Sequence, residues 1–209
     1  MVNLKKEVNM KIFSGFFLIF VLTISTCTRA EDRQKEIDLA YSKIVNLLPT
    51  NAQLIHNPYS SAWQTYGENY SVTSLNNSEV IGGDALLVNV KRKGKNPWDV
   101  GAFANIQTDI EKGDVIYLIL WVRLNSNTVN ATGGLQLAVE PYSYLVSEEL
   151  ALEDQWQTYA MAVKAEKKYK KDEIRLHVQL SQKKQKVELG PTLVFNLGKE
   201  ADLTTLPLL

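Results

Sequence analysis

From Trp63 onward, apolar side chains recur at every second position. Residues 85–90 read ALLVNV, 98–107 WDVGAFANIQ, 114–124 DVIYLILWVRL and 133–140 GGLQLAVE. Residues 156–164 read WQTYAMAVK, 173–181 EIRLHVQLS and 186–197 KVELGPTLVFNL. A period of two puts one set of side chains on each face of an extended strand. Turn signals separate the runs, among them Gly82-Gly83-Asp84, Gly94-Lys95-Asn96-Pro97 and Lys112-Gly113-Asp114. Residues 63–70 add an eighth short strand. Short strands at regular spacing without intervening helices predict an all-β antiparallel sandwich or barrel. The one helical pattern lies before Pro49, where Ile37, Tyr41, Ile44, Val45 and Leu48 fall at helical spacing.

Each strand is then read face by face. Residues 116–122 carry Ile116, Leu118, Leu120 and Val122 on one side, and Tyr117, Ile119 and Trp121 with Arg123 on the other. Bulk on both faces predicts a central strand. In 133–140, Leu135, Leu137 and Val139 pack, leaving Gln136, Ala138 and Glu140. In 173–181, Ile174, Leu176, Val178 and Leu180 pack, leaving Arg175, His177 and Gln179. Guanidinium, amide, carboxylate and imidazole groups beside aromatic rings suit a sugar cleft. Pyranose hydroxyls donate and accept together, and aromatic faces cover the C–H face of the ring. The alternative is a solvated sheet face crossed by ion pairs such as Arg123–Glu140.

The N-terminus departs from this pattern. Lys5, Lys6 and Lys11 precede the apolar stretch 12–24, IFSGFFLIFVLTI, which reads as an export signal and is short for a membrane span. Two exits follow. Thr28-Arg29-Ala30 has small residues where a signal peptidase reads them, and Ile24-Ser25-Thr26-Cys27 resembles a lipobox with Cys27 as the lipidated residue. The chain divides into an export signal at 1–30, a helical tether at 31–50 and a β-sandwich at 51–209. Export points to the periplasm, the outer membrane or the extracellular space, with a lipid anchor as the only membrane attachment. Cys27 is the chain's single cysteine, so stability must come from the core rather than from disulfides.

Charge narrows the function classes. Of 23 basic and 23 acidic side chains, the first thirty residues hold Lys5, Lys6, Lys11 and Arg29 against Glu7 alone, leaving 19 against 22. A nucleic-acid binder would carry a basic excess. There is no Gly-x-Ser-x-Gly elbow and no His-Glu-x-x-His, and His56 and His177 lie far apart. A glycosidase needs two carboxylates across its groove; Glu140 is the one groove candidate, with Asp99 its nearest companion. The reading is non-enzymatic.

Several segments resemble the jelly-roll carbohydrate-binding modules of the family four and nine type, often attached to xylanases and other glycan-degrading enzymes. They are Asn96-Pro97-Trp98-Asp99-Val100, Lys112-Gly113-Asp114 followed by residues 117–123, and Trp156-Gln157-Thr158-Tyr159. At the end come Gln185-Lys186-Val187-Glu188-Leu189-Gly190-Pro191, Asn196-Leu197-Gly198 and Leu206-Pro207. The resemblance implies a two-sheet jelly roll with a short N-terminal helix or tether, and a concave face that holds a plant or algal-type polysaccharide. Trp98 would be a stacking platform. Arg123, Gln136, Glu140, His177 and Gln179 would point into the groove, and Tyr142 with Tyr144 would wall one end. As ligand contacts, His177 and Glu140 would tolerate alanine without loss of melting temperature. Trp121 and Trp156 are read as core. A structural calcium ion is common in such jelly rolls, with ligands the sequence does not identify. A glycan-degrading enzyme is a further expected partner. The competing reading is a protein-docking or structural jelly roll of the cell envelope without a sugar site.

Overall fold

The computed structural model describes residues 35, 38–39, 41–76, 79–124 and 129–207. The export signal, Cys27 and Ile37 lie outside the described residues.

Two antiparallel sheets face each other. The first contains β1 (Gln53–Leu54), β3 (Tyr70–Asn76), β4 (Asp84–Val90), β6 (Val115–Leu124), β9 (Gln157–Lys164) and β11 (Gln185–Asn196). Its order is β3-β4-β11-β6-β9, with β1 also on β11. The second contains β2 (Gln64–Gly67), β5 (Val100–Asn105), β7 (Val129–Leu137), β8 (Tyr144–Leu152) and β10 (Ile174–Gln179), ordered β2-β5-β10-β7-β8. The core between them takes the alternating aliphatics: Ile116, Leu118, Leu120 and Val122 from β6 meet Leu176 and Val178 from β10. Each fully buried aliphatic of this kind contributes about 1.5–3 kcal/mol.

Strand β6 is central, as its two bulky faces require. Its second face carries Tyr117, Ile119 and Trp121 and is not a groove. Phe195 of β11, opposite Tyr117, shares that face, and Ile44 and Leu48, from the helical turn at 41–45 and the residues after it, cover it. Tyr41 stacks on Phe195 with ring centroids 5.8 Å apart. The Tyr117 hydroxyl donates to the Pro207 carbonyl at 2.6 Å, and burial raises its pKa to about 12. The tether therefore packs on the domain, and the second sheet keeps an open outer face.

Three strands exceed the sequence reading: the two-residue β1, and β3 and β8. Strands β3 and β8 lie at the ends of their sheets, where one pairing partner suffices and polar side chains face solvent. Strand β7 also ends earlier than its alternation predicts. A turn closes at Tyr142, whose N–H donates to the Val139 carbonyl at 2.8 Å, and the Glu140–Pro141 bond within it is cis. Val139 is consequently 58% exposed rather than packed.

Candidate functional site

The register of the second sheet builds the site. Directly paired residues on adjacent antiparallel strands point to the same face. Arg175 pairs with Asn105 on β5 and Gln136 on β7; His177 pairs with Phe103 and Gly134; Gln179 pairs with Gly101 and Thr132. Tyr66 on β2 lies opposite Gly101, and Tyr144 on β8 opposite Gln136. One outer face thus collects Tyr66, Phe103, Gln136, Tyr144 and the three polar residues of β10. With the Trp98 loop and the Pro141–Tyr142 turn at its rims, this face lines a cavity of about 700 Å³.

His177 is fully buried at the floor. Its Nε2 is 2.7 Å from the Tyr66 hydroxyl and its Nδ1 is 2.7 Å from the Tyr144 hydroxyl. The Tyr66 ring also stacks on the imidazole at 5.8 Å. Burial, reinforced by the Arg175 cation, pushes the His177 pKa down to about 3, so the ring is neutral. A neutral imidazole has one N–H and one bare nitrogen. One tyrosine therefore donates to the ring and the other accepts from it. The accepting tyrosine keeps its own O–H proton for another acceptor. Burial raises both phenol pKa values, so neither ionises at neutral pH.

Glycines make this arrangement fit. A Cβ on Gly101 would lie 2.5 Å from the Tyr66 hydroxyl oxygen, so only glycine leaves room for the phenol to lie across β5 and reach β10. A Cβ on Gly134 would lie 2.1 Å from the Val146 carbonyl oxygen, so glycine also permits the close approach of β8 to β7.

Arg175 sits in the same wall. Its Nε and Nη2 donate to Gln136 Oε1 at 3.1 and 2.8 Å. Its guanidinium carbon lies 5.0 Å from the Phe103 ring centroid, 5.6 Å from Tyr142 and 5.9 Å from Tyr66. Aromatic faces on several sides hold the planar group without neutralising it.

The rims carry the exposed aromatics. Trp98 is 54% exposed and Tyr142 46%. Asp99 shapes the Trp98 loop: its Oδ2 accepts from the Lys95 and Asn96 backbone N–H groups at 2.7 and 3.0 Å, and Oδ1 from Asn96 Nδ2 at 3.2 Å. The donors from Asn96 hold the Asp99 carboxyl below its usual range. Buried Ser181, just past β10, donates to the Asn96 and Pro97 carbonyls and ties the loop to the sheet.

Of the residues expected to meet a ligand, Trp98, Gln136, Tyr142, Tyr144, His177 and Gln179 come together here. Two do not. Arg123 lies on β6 in the other sheet, where its Nη2 bonds Glu188, its register partner on β11, at 2.7 Å. Its Nη1 bonds Glu79 at 2.9 Å, and its guanidinium covers the Trp156 ring at 5.0 Å. Reading β6 and β7 as neighbours fails because the chain changes sheets between them. Glu140 belongs to the turn after β7, exposed and outside the groove lining. Trp121 is buried and Trp156 half-buried, both in the cluster on the outer face of the first sheet. The His177 side chain is completely buried and bonded at both nitrogens, which argues against the expectation that it tolerates alanine without loss of melting temperature.

Sequence reasoning missed Tyr66 and Phe103 as groove residues, and grouped Arg175 with His177 and Gln179 without carrying it into the groove. Arg175 belongs to the polar set of its strand, and β5 and β7 flank it on both sides. The signal for Phe103 was its place on the His177 face of a neighbouring strand, visible only once the register is known. Among the described residues, no three His, Cys, Asp or Glu side chains gather to hold a metal ion. No helix among them is long and apolar enough to cross a membrane.

Comparison with solved structures places the fold. The CBM22-1–GH10 modules of Clostridium thermocellum xylanase 10B, complexed with xylohexaose, superpose with a TM-score of 0.52 at 14% identity, over 71% of this chain and 29% of that one. The N-terminal cellulose-binding domain of Cellulomonas fimi β-1,4-glucanase C gives 0.51 at 17% identity, over 73% of this chain and 96% of that one. The chain shares their jelly-roll fold. The arabinose-bound α-L-arabinofuranosidase MgGH51 gives 0.51 at 14% identity, over 69% of this chain and 26% of that one. The jelly roll seen here thus corresponds to about a quarter of the two enzyme chains and to nearly all of the isolated cellulose-binding domain. At these identities the likeness is one of fold. No protein-family model matches the chain, and no curated protein matches it.

Proposed function

We propose that this chain is a non-catalytic, exported carbohydrate-binding protein that holds a plant or algal-type polysaccharide in the groove on its second sheet. The observation that carries the reading is the pairing of exposed Trp98 and Tyr142 at the rims with planar polar groups on the floor between them. Sugar rings stack on such aromatics through their C–H faces, while amide and phenol groups take their hydroxyls. The jelly-roll likeness to sugar-binding domains supports the same reading. Among the described residues no carboxylate lines the groove, which argues against the paired acids of a glycosidase. Export rests on the apolar leader at 12–24, and a lipid on Cys27 would hold the protein at a membrane surface beside a glycan-degrading enzyme.

The test is affinity electrophoresis of the folded chain in gels containing xylan, β-glucan, mannan, laminarin or agar. Retardation on one polymer class supports the reading. Unretarded migration of a folded protein on every glycan class sinks it. A shallow open groove of this kind is expected to bind single chains with a Kd on the order of micromolar to millimolar.

A further inference from the structure

The groove has one charged group and no counter-charge. Arg175 is the only ionised side chain among its described lining residues, and no carboxylate of the described residues forms an ion pair with it. A guanidinium has five N–H donors. Gln136 takes two of them, leaving three. Two acids near the rims do not line the groove. Asp99 accepts from the N–H groups of its own loop, and Glu140 stands exposed in the turn, outside the lining.

The donor–acceptor balance is uneven in the same direction. A neutral sugar offers hydroxyls that donate and accept equally, and suits a site rich in carboxylates. Here the Gln136 oxygen is occupied by Arg175 and the imidazole nitrogens by two phenols, which leaves Gln179, itself bonded to Tyr144, as the remaining amide of the lining. The neutral imidazole also leaves one phenol proton available to an acceptor. Aromatic rings on three sides hold the cation at 5.0–5.9 Å and keep it partly out of water, where attraction for an anion is less screened.

We propose, on the groove reading above, that the bound glycan is anionic, with the carboxylate of a uronic acid or a sulfate ester accepting from the free edge of Arg175. Both anions present the oxygen pair that a guanidinium fork matches.

Calorimetric titration of the full chain tests this with polygalacturonate and alginate as uronates, carrageenan as a sulfated polymer, and xylan, β-glucan and laminarin as neutral ones. The wild type is expected to bind an anionic polymer at least tenfold tighter than any neutral one, and binding weakens between 50 and 500 mM NaCl, on the order expected for partly screened charges. Binding to uronates but not carrageenan assigns the carboxylate, and the reverse assigns the sulfate. Arg175→Gln is expected to lower anionic binding about tenfold to a hundredfold, and by more than it lowers binding of neutral chains. Arg175→Lys, which keeps the charge, retains part of the affinity and guards against a folding defect. Neutral glycans bound as tightly as anionic ones, or lost equally in Arg175→Gln, would overturn the proposal while leaving the groove intact. Anionic binding that survives Trp98→Ala overturns it too, by moving the contact elsewhere. No binding to any polymer removes the groove reading itself, and this inference with it.

Discussion

His177 shows how a polar residue of a sequence pattern acquires a role from its neighbours. It looked like a ligand contact, but both ring nitrogens are spent on Tyr66 and Tyr144. It positions two phenols and does not need to touch a sugar. His177→Ala removes two hydrogen bonds and leaves a cavity, so the expected loss of stability is about 2–4 kcal/mol, read as a lower urea midpoint. Gly101→Ala is a sharper probe, because the three atoms nearest the added methyl all belong to the Tyr66 phenol. It is expected to displace Tyr66, weaken glycan binding and cost no more than about 1–2 kcal/mol. Unchanged binding in that variant would remove Tyr66 from the site.

At the scale of elements, the period-two runs located β4, β5, β6, β9, β10 and β11 within a few residues. The weak edge strands β3 and β8 escaped, since a strand with one neighbour can be polar on both faces. The groove was half legible. Gln136, His177 and Gln179 follow from alternation alone, whereas Arg123 and Glu140 were misassigned because face arithmetic does not say which strands are neighbours or where a strand stops. Arg123 is instead a structural residue of the first sheet, holding a Glu188 side chain that is 3% exposed. Arg123→Met is therefore expected to destabilise the domain by about 3 kcal/mol, because it removes the cation from a buried carboxylate, while glycan binding stays as in the wild type. A binding loss without destabilisation would return Arg123 to the groove. The tether is likewise structural. Ile44→Asp is expected to lower the melting temperature by uncovering Tyr117, Ile119 and Phe195.

For the whole molecule, buried neutral histidines set the pH response. His56 is buried with Nε2 2.7 Å from Thr192 Oγ1, and burial pushes its pKa down to about 4; His177 is pushed down to about 3. The unfolded chain protonates both near their ordinary value of 6.5, so below that pH it binds protons the folded state refuses. Stability is fully present above pH 6.5 and falls as pH drops toward 4, by up to about 1.4 kcal/mol per pH unit for each histidine. The lowered carboxyls of Asp99, Asp109 and Asp202 add to this loss only below about pH 4. Urea midpoints at pH 7.5 and 5 check the slope, which shrinks in His56→Gln; a flat profile would contradict the buried neutral rings.

The central claim is that the two sheets divide the labour, one sealed by the tether and one open to a glycan. Affinity electrophoresis of Trp98→Ala beside Arg123→Met on the polymer that retards the wild type tests it most directly. The account predicts that Trp98→Ala runs unretarded with an unchanged melting temperature, while Arg123→Met, though less stable, is retarded like the wild type. Retardation kept by Trp98→Ala and lost by folded Arg123→Met would place the ligand on the other sheet.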